Sequence, residues 1–73
     1  MFIYLIFNDN TSKYINTDRI ISIQDLMEND GEQPTFVGSE VLVDEGDRGT
    51  ITYKCINMSI NLLDQIRRAK HEQ

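Results

Sequence analysis

Up to about residue 58 this chain holds short hydrophobic runs separated by turn-forming residues, with the clearest period of two from Thr50, and after it apolar positions recur every three to four residues, which predicts strands followed by one helix. Met1–Phe7 is apolar throughout, the pattern of a strand covered on two faces or lying in a subunit interface. Asn8-Asp9-Asn10-Thr11 is turn chemistry, because short Asx side chains tolerate left-handed backbone and bond to it locally, and Lys13-Tyr14-Ile15 reads as the return strand of a hairpin. After a second turn at Asn16-Thr17-Asp18, Arg19–Leu26 is a third strand, with Ile21 and Ile23 on one face against Ile20 and Ser22 on the other. Thr35-Phe36-Val37 is a short strand ended by Gly38, Glu40–Asp44 is the next, and Glu45–Gly49 is a hairpin loop.

The last strand runs from Thr50 to Met58, with Ile51, Tyr53 and Cys55 on one face and Thr52, Lys54 and Ile56 on the other. Ser59 is the expected N-cap of the helix, its hydroxyl placed to accept from a free N–H of the first turn. Ile60, Leu63 and Ile66, with Leu62 and Ala69 contributing less, form the stripe expected to pack on the sheet. Arg67, Arg68 and Lys70 fall in the last turn, where positive charge meets the negative end of the helix dipole. The connections between strands are too short for parallel crossovers. The predicted fold is therefore α+β and mostly β: a small antiparallel sheet or partly closed barrel of five or six strands with one C-terminal helix, all in a single domain spanning 1–73.

Charge changes this picture in the middle of the chain. Asp25, Glu28, Asp30, Glu32, Glu40, Asp44, Glu45 and Asp47 are eight of the 12 acids, and no Lys or Arg lies between Arg19 and Arg48. Glu28–Gln33 is almost devoid of hydrophobic residues and precedes Pro34, so an acidic, mobile loop is expected at about 28–40. The net charge of −5 opposes nucleic-acid binding, which draws on clustered Lys and Arg. The acids Glu28, Asp30, Glu32, Glu40, Asp44, Glu45 and Asp47 are instead candidate contacts for a protein partner with a basic surface.

Catalytic chemistry finds little to work with. His71, the one histidine, stands three residues from the end in a Lys-His-Glu-Gln tail, a poor place to position a proton. Cys55, the one cysteine, shares a face with Ile51 and Tyr53 and reads as a small core hydrophobe. The carboxylates of Asp44-Glu45-Gly46-Asp47 lack the ligand order of an EF-hand. The expectation is no enzyme, no cofactor and no metal. A basic cluster of Lys54, Arg67 and Arg68, with Tyr53 to stack on a base, is the candidate site for a small anionic ligand, the alternative being that the helix end accounts for the arginines.

A 73-residue chain buries only about 60% of its unfolded surface, and one cysteine provides no disulfide. Self-association is the expected supplement, through Phe2, Tyr4 and Ile6 of the apolar first strand. The apolar run lacks a basic segment before it and a small-residue cleavage site after it, and it is too short to span a bilayer. A cytoplasmic location and no membrane contact are expected.

The Asn8-Asp9-Asn10-Thr11 turn, Tyr14-Ile15-Asn16, Arg19-Ile20-Ile21-Ser22-Ile23, Thr50-Ile51-Thr52-Tyr53-Lys54 and the Ser59 helix start together resemble the small FlbD-type (SwrD-type) proteins. The likeness covers both ends of the chain and skips about Met27 to Gly49. It implies a link with flagellar and swarming motility and supplies no catalytic residues.

Overall fold

The structure, a computed structural model, describes residues 1–29, 31 and 33–71, the last three by their backbone alone. Five strands and one helix follow one another: β1 (Phe2–Ile6), β2 (Ser12–Asn16), β3 (Ile20–Asn29), β4 (Pro34–Asp44), β5 (Thr50–Cys55) and α1 (Ser59–His71). All pairings are antiparallel, in a two-stranded sheet β1-β2 and a three-stranded sheet β3-β4-β5. The fold is thus the small, mostly antiparallel α+β arrangement that the hydrophobic pattern predicts, with the strands divided between two sheets.

Local chemistry sets the connections. The first hairpin closes with Asn10 at φ +68°, a conformation that Asn tolerates better than most side chains. Asp9 steadies it by accepting from the Thr11 N–H at 3.0 Å. Between β2 and β3, a single 3-10 turn at Thr17–Arg19 is capped by Asn16, whose side-chain oxygen accepts from the Asp18 N–H at 3.0 Å.

The long β3–β4 hairpin corrects two expectations. Glu28 and Asn29 pair with Thr35 and Pro34, so both strands continue through most of the segment assigned to an acidic loop at 28–40. Thr35–Val37 and Glu40–Asp44 are also one strand, because Gly38 does not end it. The ladder shifts register between Leu26 and Met27, opposite Gly38, whose φ of +145° is open to glycine and strained for other residues. A Cβ at Gly38 would lie 2.7 Å from the carbonyl oxygen of Cys55, so the absence of a side chain also lets β4 approach the end of β5.

The core is Ile3 and Leu5 of β1, Ile15 of β2, Val41 and Val43 of β4, Cys55 of β5 and Leu62 of α1. Leu62 is fully buried, whereas Ile60 and Leu63 are 66% and 50% exposed. The inward stripe of α1 is therefore Leu62 with half-buried Ile66, rotated from the expected Ile60/Leu63/Ile66 stripe. The reason is the entry of the helix: two polar tethers described below fix Ser59 against β3 and Gln65 against β1, and residue 62 is what then faces the core.

The two sheets meet where the Ile56 N–H donates to the Ile6 carbonyl at 2.8 Å. No described helix is long and apolar enough to cross a membrane.

Candidate functional site

Asp25 holds the helix start in place. Its Oδ1 accepts from the Ser59 backbone N–H at 2.8 Å and its Oδ2 from the Ser59 hydroxyl at 2.7 Å. The Met58 carbonyl already accepts from the Leu62 N–H at 3.2 Å, so Met58 holds the cap position and Ser59 is the first helical residue. The expected Ser59 cap is replaced by a carboxylate from another element, which complements the positive end of the helix dipole. The hydroxyl of Ser39, fully buried on β4, lies 2.9 Å from Asp25 Oδ1 and 2.6 Å from the Asn57 carbonyl. The Ser59 N–H, then the Ser59 hydroxyl and Ser39, hold the Asp25 carboxyl below its ordinary 3.8.

A second tether ties β1 to the same region. Asn57 Oδ1 accepts from the Ile6 N–H at 2.8 Å, and Gln65 Oε1 accepts from the Tyr4 N–H at 2.9 Å. The amide nitrogens of both side chains approach the Tyr4 carbonyl at 3.4 Å. β1 pairs with β2 along one edge, and these two amides cover the other at Tyr4 and Ile6. The outer edge of β1, the strand expected to take part in self-association, is thus satisfied within the chain at Tyr4 and Ile6. Its outward face is not covered: Phe2 is 61% exposed, and Tyr4 packs on Tyr14 with ring centres 5.1 Å apart. Ile6, the third residue assigned to self-association, is half-buried.

The order β3-β4-β5 makes β3 one of the two edge strands of the second sheet. An apolar groove of about 420 Å³ follows it, walled by Ile20, Ile21 and Ile23 on one side and Leu63 and Ile66 on the other, with Asp18 on its rim. Ser22 lines it too. Side chains of successive strand residues point to opposite faces, so a groove that touches residues 20 to 23 in turn runs along the strand's edge. A ladder shift at Ile21 leaves that side chain 54% exposed. Leu63 belongs also to a cleft along the outward side of α1, with Ile60, Asp64 and Arg67.

The proposed acidic contacts do not form one surface. Glu28 lies at one end of the β3–β4 ladder and Asp44, Glu45 and Asp47 at the other, about 30 Å apart over the length of β4. Glu40 pairs with Lys54 in register between them. Glu45 accepts from the Tyr53 hydroxyl at 2.7 Å, and Asp44 accepts from the Gly46 N–H at 2.9 Å. Asp44 and Asp47 remain exposed. Asp30 and Glu32 lie outside the described residues.

Nor does the structure gather the four residues proposed to hold an anionic ligand. Tyr53 and Lys54 are neighbours on a strand and point to opposite faces. Tyr53 is used by the fold: Lys13 donates to its hydroxyl at 2.8 Å, its ring stacks on Phe7 at 6.1 Å, and the Lys13 ammonium stands 4.7 Å from the ring centre. The Tyr53 hydroxyl holds Lys13 above its ordinary 10.5. Lys54 lines a small cleft with Gly38 and Cys55, away from Arg67. Arg68 pairs with Asp64 at 3.0 Å, both exposed. Burial, first among its causes, pushes the Cys55 thiol above its ordinary 9.0, so it is protonated at neutral pH and a poor nucleophile. The side chain of His71 lies outside the described residues, and among those described no three acids, histidines or cysteines are grouped to hold a metal.

Sequence reading placed Asp25 in the acidic run and missed its role. The signal was phase: Asp25 falls two residues from Ile23, on the half-buried face, while Gln24 falls on the exposed one. Comparison with protein-family models, curated proteins and solved structures finds no match to this chain.

Proposed function

We propose that this chain is a non-catalytic protein-binding module, an adaptor or inhibitor, which self-associates and presents acidic ends to a partner with a basic surface. The observation that carries the reading is the apolar strip formed by the β3 edge and the outward side of α1: Ile21, Ile60 and Leu63 are each half or more exposed, Ile21 and Leu63 lining the groove beside β3 and Ile60 and Leu63 the adjoining cleft on α1. Contiguous apolar surface of this kind marks a contact site far more often than scattered exposed residues do. The excess of acid supports the choice of partner, with Asp44 and Asp47 exposed on the β4–β5 turn and Glu28 at the opposite end of the sheet. Cys55, a buried free thiol, suits a reducing cytoplasm.

The test is selection from a displayed random-peptide library on the immobilised protein. The reading expects enrichment of peptides carrying Lys and Arg, and loss of their binding when Glu28 is changed to Gln and Asp44 and Asp47 to Asn. Asn at 44 keeps an oxygen for the Gly46 N–H, so the turn survives the change. No enrichment above that on an unrelated acidic protein would overturn the reading.

A further inference from the structure

We infer that α1 pairs antiparallel with α1 of a second copy of this chain, seating Leu63 and Ile60 of each copy against the α1–β3 groove of the other; this rests on the reading of the chain as a self-associating module and names the surface and its occupant. Ile60, Leu63, Asp64 and Arg67 are spaced i, i+3, i+4 and i+7 and line one cleft on the outward side of the helix. The other side is occupied: Leu62 is in the core, Ile66 packs against it, and Gln65 is bonded to Tyr4.

The outward stripe carries its own complement. Alignment of two such helices in opposite directions, with Ser59 opposite residue 71, sets Asp64 of each beside Arg67 of the other and opposes the helix dipoles. A parallel alignment sets Asp64 against Asp64 and Arg67 against Arg67. Within one copy Arg68 approaches a single oxygen of Asp64, leaving the other oxygen for the partner's arginine. Arg67 has no ion pair among the described residues. Ridge and groove also adjoin on the same surface, since Leu63 lines both clefts. This is the self-complementarity that a two-fold contact requires.

Area sets the strength. A 13-residue helix is about 20 Å long, and with the neighbouring β3 edge it presents a strip about 20 Å wide, or about 400 Å² per copy. The total of about 800 Å² is below the roughly 1,200 Å² of standard stable interfaces. The dimer therefore dissociates on dilution.

Sedimentation equilibrium over a range of concentrations tests this on the full chain. The wild type is expected to pass from monomer to dimer with concentration, and Leu63→Glu to weaken the dimer at least tenfold. Arg67→Glu is expected to weaken it as well, and adding Asp64→Arg to that variant is expected to restore it. Circular dichroism of dilute samples confirms that each variant keeps the fold, as exposed positions should. A monomer at every concentration, or a dimer that neither Leu63→Glu nor Arg67→Glu weakens, overturns the proposal. A monomer that still selects basic peptides would overturn the dimer and leave the protein-binding reading standing; a dimer that selects none would do the reverse.

Discussion

Asp25 on β3 grips Ser59 with both carboxylate oxygens, at 2.8 Å to the backbone N–H and 2.7 Å to the hydroxyl. Together with the Gln65–Tyr4 bond, this grip sets which side of α1 faces the core. It also makes stability depend on acid. The folded carboxyl is held below 3.8, so its contribution is full above that value and is lost as pH falls through the lower, folded value. Asp25→Asn keeps one acceptor and turns an NH2 group towards a hydroxyl. Thermal unfolding should show the wild type melting above Asp25→Asn at neutral pH, with the gap closing below about pH 3.8. Asp9, also held low by Thr11, is present in both proteins and drops out of the difference. A gap that does not change with pH would assign the effect to shape alone.

Gly38 should be the least replaceable glycine among those with described surroundings. Its φ of +145° and the 2.7 Å approach of a Cβ to a backbone oxygen combine strain with overlap against an atom that cannot rotate away. Gly38→Ala is expected to cost at least about 3 kcal/mol in urea unfolding. Gly46→Ala, at φ +67° with open space around it, should cost only about 1–2 kcal/mol. Equal costs would remove the β4–β5 contact from the account.

Neighbouring leucines on α1 should respond differently. Leu62→Ala empties a fully buried site and is expected to cost about 2–5 kcal/mol. Leu63→Ala, measured in dilute samples where the chain is monomeric, should stay within about 0.5 kcal/mol of wild type. The reverse order would restore the helix face that the periodicity predicts.

Asn57 covers a strand edge with a side chain. Asn57→Ala leaves the Ile6 N–H without its 2.8 Å acceptor and takes a donor from the Tyr4 carbonyl, and is expected to cost about 1–3 kcal/mol. Hydrogen exchange should quicken at Ile6 ahead of Leu5, which remains paired with Lys13 of β2. An uncovered edge is open to pairing with other chains, so light scattering should rise in the same variant.

Much of the fold was legible because period and turn chemistry act locally. Thr50–Cys55 alternates cleanly, the Asx turn at Asn8–Asn10 announces a hairpin, and the helix begins at the Ser59 where the period changes. Gly38 misled because a glycine ends a strand and permits a bulge by the same freedom of φ. The helix face misled because Ile60/Leu63/Ile66 and Leu62/Ile66 fit the same period, and the choice between them was made by Asp25 and Gln65, partners 34 and 61 residues away. The division of the acids between two ends of a hairpin likewise depends on β3 and β4 extending through a stretch whose composition suggests a loop.

The most direct test of the self-associating surface is a dilution series of amide spectra from isotope-labelled wild-type protein. The account predicts that shifts between dilute and concentrated samples fall on Ile20–Ile23 and Ile60–Arg67, with Tyr4 and Tyr14 unmoved. Shifts confined to Phe2, Tyr4 and Tyr14, or no shift at any concentration, would contradict it.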